Sequence, residues 1–156
     1  MMLRIQLLNP GVLDGLRDEI AQALHEAAGE TGEALVQEAF RIARARVLSR
    51  TQRPFFGTGR YFSSLGIASR KTPGQVQGVL STRSAIGPII EFGSRPHLIR
   101  PRARRALFWP GGPHPVKAVR HPGTPAYRVL SEAVLQAGEQ AEELYRKALN
   151  EKIIPR

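Results

Sequence analysis

Apolar residues recur every three to four positions in the first part of the chain and predict one long helix over residues 10–49. Asn9 and Pro10 favour its start, since Asn caps helices and Pro suits the first helical position. Gly29 and Gly32 interrupt the apolar stripe but lack the stronger signals of a loop. At about 1.5 Å per residue this helix reaches about 60 Å, so we expect it to project or to pack on a neighbouring subunit. The stripe comprises Leu13, Leu16, Ile20, Leu24, Ala27, Leu35, Ala39, Ile42, Ala43 and Val47.

The middle of the chain predicts short strands joined by turns. Residues 50–74 have the composition of a loop region, with one short helical turn between Arg60 and Ile67. Eight of the 12 prolines lie between positions 88 and 125, so residues 75–122 are expected to form a sheet with basic, proline-rich loops. The strand-like segments are 75–81, 86–92, 97–100, 106–109 and 116–120.

A helical pattern returns over residues 124–150, with Thr124 as the expected N-cap and Pro125 at the first helical position. The whole order predicts an α+β fold in one domain, 1–156. It consists of a long N-terminal helix, a small antiparallel sheet of about four to five short strands, and a C-terminal helix packed on the sheet.

Charge is distributed unevenly along the chain. The total is +10, from 23 Lys and Arg against 13 Asp and Glu. Residues 1–40 carry two basic and seven acidic residues, residues 41–128 carry 17 and one, and residues 129–156 carry four and five. The cationic middle indicates a polyanion or an acidic protein surface as a partner.

Other features exclude whole classes of function. The chain has no cysteine, which rules out disulfides, thiolate nucleophiles and cysteine-ligated zinc. No stretch has the length of a membrane span, and the first residues turn polar too soon for a signal peptide. We therefore expect a soluble protein without a membrane partner, made in the cytoplasm.

Candidate catalytic chemistry is sparse. His97, His114 and His121 match no zinc spacing and are expected to be solvated loop residues. Glu91 is the one acid among residues 41–128, which favours a structural ion pair with an arginine over acid–base catalysis. No nucleophile elbow or phosphate loop is present. We expect no enzymatic activity, no catalytic or metal site and no cofactor.

The strongest charge feature is the basic segment 95–105. Its arginines suit sequence-independent contact with nucleic-acid phosphates, or contact with acidic residues of an adjacent subunit; a solvated loop is the plain alternative. The candidate arginines are Arg95, Arg100, Arg102, Arg104 and Arg105. Phe55, Phe56 and Trp109 lie in glycine-rich loops and are candidate docking side chains. The alternative is that the two phenylalanines pack over the helix and that Trp109 folds back onto the sheet.

Three motifs occur in a fixed order along the chain. Together they resemble the small neck and tail-completion proteins of long-tailed bacteriophages, also described as head–tail joining proteins or minor tail components. The motifs are Thr58-Gly59-Arg60-Tyr61-Phe62-Ser63-Ser64-Leu65, Ile89-Ile90-Glu91-Phe92-Gly93-Ser94 and Val119-Arg120-His121-Pro122-Gly123-Thr124-Pro125. The motif residues expected to be structural are Thr58, Gly59, Ser64, Glu91, Phe92, Gly93, His121, Pro122, Gly123 and Thr124.

The resemblance implies an α+β subunit that forms a ring, often hexameric, in the virion between the head connector and the tail tube. Its expected partners are further copies of itself, the connector, tail-tube or terminator proteins, and genomic DNA in transit, with assembly in the host cytoplasm. The alternative function is non-sequence-specific nucleic-acid binding through residues 95–105. Gly93 and Gly123 are expected to provide sharp turns, and Phe92, Leu107 and Phe108 are expected in the core.

Overall fold

The computed structural model describes residues 10–50, 56–72, 75–109, 112 and 115–153. The fold is α+β, as predicted, with a long N-terminal helix, two small antiparallel sheets and C-terminal helices. The elements are α1 (Pro10–Leu48), α2 (Arg60–Ser64), β1 (Leu65–Thr72), β2 (Gln75–Thr82), α3 (Gly87–Phe92), β3 (His97–Ile99), β4 (Val119–His121), α4 (Val129–Gly138) and α5 (Ala141–Ile153).

Helix α1 is the longest element and packs against most of the others. It runs unbroken for 39 residues, which confirms the prediction of one long helix. At about 1.5 Å per residue it is about 58 Å long. Its interior glycines disfavour a helix by only about 1 kcal/mol each, and packing against α4, α5, β1 and β2 outweighs that cost. Asn9, the expected cap, lies outside the described residues.

The main core lies between α1 and α4. Alanine side chains at the contact allow the two helices to approach closely, and larger side chains from α2, β1 and α3 close the ends. No described helix offers a stretch long and apolar enough to cross a membrane. The core comprises Ala39, Ile42, Ala43, Val47, Phe56, Tyr61, Leu65, Ile90, Val129, Ala133 and Ala137.

The prediction for 50–74 is right in one part and wrong in another. The short helical turn expected between Arg60 and Ile67 is present as α2, residues 60–64. Residues 65–72, expected as loop, form β1, which pairs antiparallel with β2 from Leu65↔Thr82 to Thr72↔Gln75. The sequence of β1 lacks a clear alternation of apolar and polar residues, so its strand character comes from the ladder that β2 supplies. Strand β2 itself is confirmed, one residue longer than expected.

The predicted strand over 86–92 is also wrong, because Gly87–Phe92 forms α3. A short apolar run does not distinguish a strand from a buried helical turn. Pro88 lies in the first turn of α3, where its missing N–H costs nothing. The helix ends at Gly93.

Residues 94–124, here called the arm, contain the second sheet. Strands β3 and β4 pair antiparallel from His97↔His121 to Ile99↔Val119, and they pack mainly against each other. The segments 106–109 and 116–120, expected as full strands, contribute the single bridge Leu107↔Val116 and the start of β4. The described strands therefore form two separate two-stranded sheets in place of one sheet of four to five strands.

The C-terminal helical region differs from the prediction at its start and in its continuity. Thr124 pairs with Ser94 instead of capping a helix, and α4 begins at Val129 after Arg128, which has φ 47°. The region breaks between Gly138 and Ala141 into α4 and α5. The turn lets α5 run along α1, where Lys152 bonds Glu26 at 3.2 Å and Glu30 at 2.8 Å.

Three expected core residues are exposed or only partly buried. Phe92 is 80% exposed and Phe108 is 72% exposed, and Leu107 is half-buried. Phe92 points outward because α3 turns Ile90 and Glu91 towards the core instead. Phe108 lies on the arm, which has no second layer over it among the described residues.

Candidate functional site

The three motifs meet at one place, here called the motif junction. The second and third motifs pair directly, because the N–H of Ser94 donates to the carbonyl of Thr124 at 2.8 Å and the N–H of Thr124 donates back at 3.1 Å. Just beyond the third motif, Tyr127 donates its N–H to the carbonyl of Ile90 at 2.8 Å. The arm therefore begins directly after α3, and the chain returns beside α3 where the arm ends.

Two glycines allow this close pairing. Gly93 has φ 75° and Gly123 has φ 91°, positive values that favour glycine, and both lie at turns where glycine was expected. A Cβ atom on Gly123 would lie 2.3 Å from the carbonyl oxygen of Ser94, and one on Gly93 would lie 2.6 Å from that of Thr124. Backbone occupies the space that a side chain would need at both positions.

Glu91 connects the junction to α4. It is 8% exposed, and its carboxylate accepts the backbone N–H of Leu130 at 2.9 Å and that of Ser131 at 2.8 Å. The hydrogen bonds described for this carboxylate thus go to the first turn of α4, where the helix dipole favours a negative charge, in place of the arginine partner expected from the sequence. Glu91 thus has a structural role, as expected, but the partners described for it are backbone N–H groups and not an arginine.

The environment shifts the titration of two groups at the junction. Burial alone raises the pKa of Glu91, but hydrogen bonds from Ser131 and from the N–H of Leu130 outweigh it and hold the pKa below its ordinary value. Burial, together with the nearby Glu91 carboxylate, raises the pKa of Tyr61 to about 12. The Tyr61 hydroxyl has no hydrogen-bond partner among the described residues.

The Phe56 ring links Tyr61 of the first motif to Tyr127, which follows the third motif. The Phe56 ring packs edge-on against Tyr61 at 5.7 Å between centroids and against Tyr127 at 5.3 Å. Phe56 is 2% exposed, so it is a core residue and not the docking side chain that was one expectation. Phe55, the other candidate, lies outside the described residues.

The remaining motif residues have local structural roles. Ser64 donates to the carbonyl of Tyr61 at 2.6 Å and lies 2.7 Å from the Thr82 hydroxyl, which joins α2 to the end of β2. Gly59 precedes α2 with φ 70°, and Thr58 accepts a long 3.5 Å hydrogen bond from the N–H of Arg60. These contacts hold the first motif against the β1–β2 hairpin.

The predicted arginines are all exposed and all belong to the arm. Arg95 and Arg100 flank β3, and Arg102, Arg104 and Arg105 lie in the bend that follows. The sequence prediction missed Lys117, which lies just before β4, and Arg120, which lies in β4. Arg120 pairs opposite Leu98 of β3. Recognising that β3 pairs with β4 would have found them. The arm thus carries seven cationic residues and no acidic residue.

Exposed apolar side chains accompany these charges. Leu98 is 51% exposed and Trp109 is 40% exposed, in addition to Phe108. Trp109 accepts the N–H of Gly112 at its carbonyl at 3.1 Å, in a turn near the tip of the arm. A cationic surface with apolar anchors has the composition of a protein-binding surface.

The histidines of the arm are engaged locally. The rings of His97 and His121 lie 5.0 Å apart, and His121 accepts the N–H of Gly123 at Nδ1. His97 Nδ1 contacts the carbonyl of Arg95 at 2.9 Å, and His114 lies outside the described residues. Among the described residues no group of three metal-ligating side chains occurs.

Comparison with known proteins finds no match. No protein-family model matches the chain, and neither a curated protein nor a solved structure matches it. A function for this protein therefore has to be inferred from the motif junction and the arm.

Proposed function

We propose that this protein is a structural subunit of the neck or tail end of a long-tailed bacteriophage. Copies of it form a ring, as the often hexameric proteins that it resembles do, and this ring joins the head connector to the tail tube and lets DNA pass. The observation that carries the proposal is the motif junction. The second and third of the segments that resemble elements of this family pair directly there, and the Phe56 ring links Tyr61 of the first to Tyr127 beside them.

Exposed apolar side chains on the subunit support an assembly role. The apolar stripe of α1 is exposed towards its N-terminal end, where Leu16, Ile20 and Leu24 are 49%, 41% and 39% exposed. Phe92 is exposed beside the junction. Apolar groups left in water at several places favour contact with further subunits or with neck and tail proteins.

In a ring, the cationic arm has two suitable partners. One is DNA in transit, which a diffuse positive surface attracts through its phosphates without reading bases. The other is an acidic surface on the neighbouring subunit. Contact with either partner is compatible with a protein whose role is assembly. We therefore assign no catalytic residue, metal or cofactor. The proposed location is the virion, at the head–tail interface.

The first test measures self-association. At the highest attainable concentration, light scattering after size exclusion is expected to give a mass that is a whole multiple of 17.2 kDa, and negative-stain microscopy is expected to show rings. Dilution should dissociate the rings if they are at equilibrium. A chain that stays monomeric at every concentration, and shows no rings, would contradict the proposal.

The alternative function is free, sequence-independent nucleic-acid binding, favoured by the seven cations of the arm with no acid among them. It predicts duplex binding that weakens steeply with salt. Replacing Arg102, Arg104 and Arg105 by alanine should lower the slope of log K against log salt by about 2.7, since each phosphate contact contributes about 0.9. The control replaces three exposed arginines outside the arm, Arg60, Arg70 and Arg83. Equal slopes for both variants would exclude the arm as a DNA-binding surface.

A further inference from the structure

The geometry points to a particular contact within the ring: we propose that the arm of one subunit packs across the N-terminal part of α1 of a second copy. This inference rests on the proposed function, because it names the surfaces through which the ring is built. It assigns the cations of the arm to an acidic neighbour and not to DNA.

Among the described residues, β3 and β4 of the arm have no extensive contact with any other helix or strand of the subunit. These strands pack mainly against each other, and no acidic residue lies between positions 94 and 124 to balance the charge of the arm. Leu98, Phe108 and Trp109 are exposed along it. Self-repulsion and exposed apolar area together make this segment costly unless another surface covers it.

The complementary surface is the acidic end of α1, residues 15–33. It contains Asp18, Glu19, Glu26, Glu30 and Glu33 against the single basic residue Arg17. Lys152 of α5 bonds two of these acids, which leaves the acidic excess reduced but not cancelled. The side chain of Asp18 is 75% exposed.

An apolar stripe on the acidic end of α1 is also partly exposed among the described residues. Leu16, Ile20 and Leu24 follow each other at four-residue spacing and so share one face of the helix. Farther along α1 that face becomes buried, at Ala27 and Thr31. An open cleft of about 230 Å³ lies between Leu16, Glu19 and Ile20 of α1 and Ile153 of α5.

The two surfaces match in charge and in apolar content. Each has exposed apolar side chains bordered by charges, and the charges are of opposite sign. Because they are different patches of one chain, contact between them is head-to-tail, the type of interface that closes into a ring when the rotation is suitable. A second copy of this chain is therefore the occupant that the surfaces favour.

Charge reversal in two variants tests the contact. One variant replaces Arg102, Arg104 and Arg105 by glutamate, and the other replaces Asp18 and Glu19 by arginine. Each alone is expected to weaken self-association by about tenfold or more. Mixing the two should restore it, because a contact between the two variants joins opposite charges whichever variant supplies the arm. The matched control is Arg60→Glu, Arg70→Glu and Arg83→Glu, which changes the net charge equally outside the arm and should leave assembly unchanged.

Cross-linking locates the contact directly, since the chain has no cysteine of its own. Protein carrying Phe108→Cys is mixed with protein carrying Ile20→Cys, and a short bismaleimide is added. A mixed dimer is expected in excess over a control mixture of Phe108→Cys with Ser69→Cys, whose position is exposed on β1.

The outcomes separate this inference from the proposed function. Rings whose mass is unchanged by the arm reversal, with no excess of mixed dimer, would overturn the arm contact and leave the ring proposal standing. Loss of duplex binding in the arm reversal, with assembly intact, would overturn it in favour of DNA. A wild-type chain that does not assemble, together with cysteine variants that give no excess of mixed dimer, would contradict both.

Discussion

Gly123→Ala is expected to lower the free energy of unfolding by about 3 kcal/mol, because it strains the backbone and crowds the junction at once. The residue has φ 91°, where a side chain is unfavourable. The new Cβ would also lie 2.3 Å from the carbonyl oxygen of Ser94 and 3.0 Å from the carbonyl carbon of Arg95. Neither is the flexible end of a side chain, so the arm must shift at its base. Urea denaturation followed by circular dichroism measures the loss.

The matched control is Gly138→Ala at the end of α4. A Cβ atom there meets nothing within 4 Å, so the change is expected to be neutral or to stabilise by up to about 1 kcal/mol. Equal stability of the two variants would show that the base of the arm tolerates a side chain, contrary to the geometry of the junction. If Gly123→Ala folds, the displaced arm should also weaken self-association.

Glu91→Ala is expected to cost about 3 kcal/mol, because it removes the acceptor for two N–H groups in the first turn of α4. Glu91→Gln keeps an acceptor oxygen but loses the charge at the positive end of the helix, so its cost should be smaller. Thermal and urea unfolding of both variants measure these effects. An exposed glutamate, Glu142, pairs with Arg146 on α5, and Glu142→Gln is expected to change stability little.

The same carboxylate makes stability depend on pH. The folded protein holds the pKa of Glu91 below the ordinary value of 4.5, so the folded state favours the charged form more than the unfolded state does. Its contribution is therefore complete above the ordinary pKa and is lost as the pH falls through the lower, folded value. Glu91→Gln should flatten the stability curve across this acidic range. A variant curve parallel to that of the wild type would contradict the assigned role.

The prediction of helix α1 succeeded because its information is local. Its 3.6-residue periodicity extends over enough turns to outweigh the glycines, and Pro10 marks its start. The strand expected over 86–92 failed for the opposite reason. The short apolar run Ile89-Ile90 fits either a strand or a helical turn, and α3 ends at Gly93, directly before Ser94 pairs with Thr124.

The residues of the motif junction were named from the sequence, but the contacts that they make were not. The motifs identified Glu91, Gly93 and Gly123, and the need for glycine at both turns followed from the sequence. That Glu91 would bond the backbone of α4 did not follow, because its partners lie 39 and 40 positions away. Likewise, Phe56 belongs to the core because Tyr61 and Tyr127 enclose its ring.

The amino-acid sequence by itself determined the long helix, the α+β class, the cationic middle and the three motifs, because periodicity and charge are properties of neighbouring residues. Only the tertiary structure decided that the motifs meet at one junction, that the basic segment forms an arm, and that the stripe of α1 is covered at one end and open at the other. Those outcomes depend on pairing between distant segments, Ser94 with Thr124 and Glu91 with α4, which no local pattern encodes.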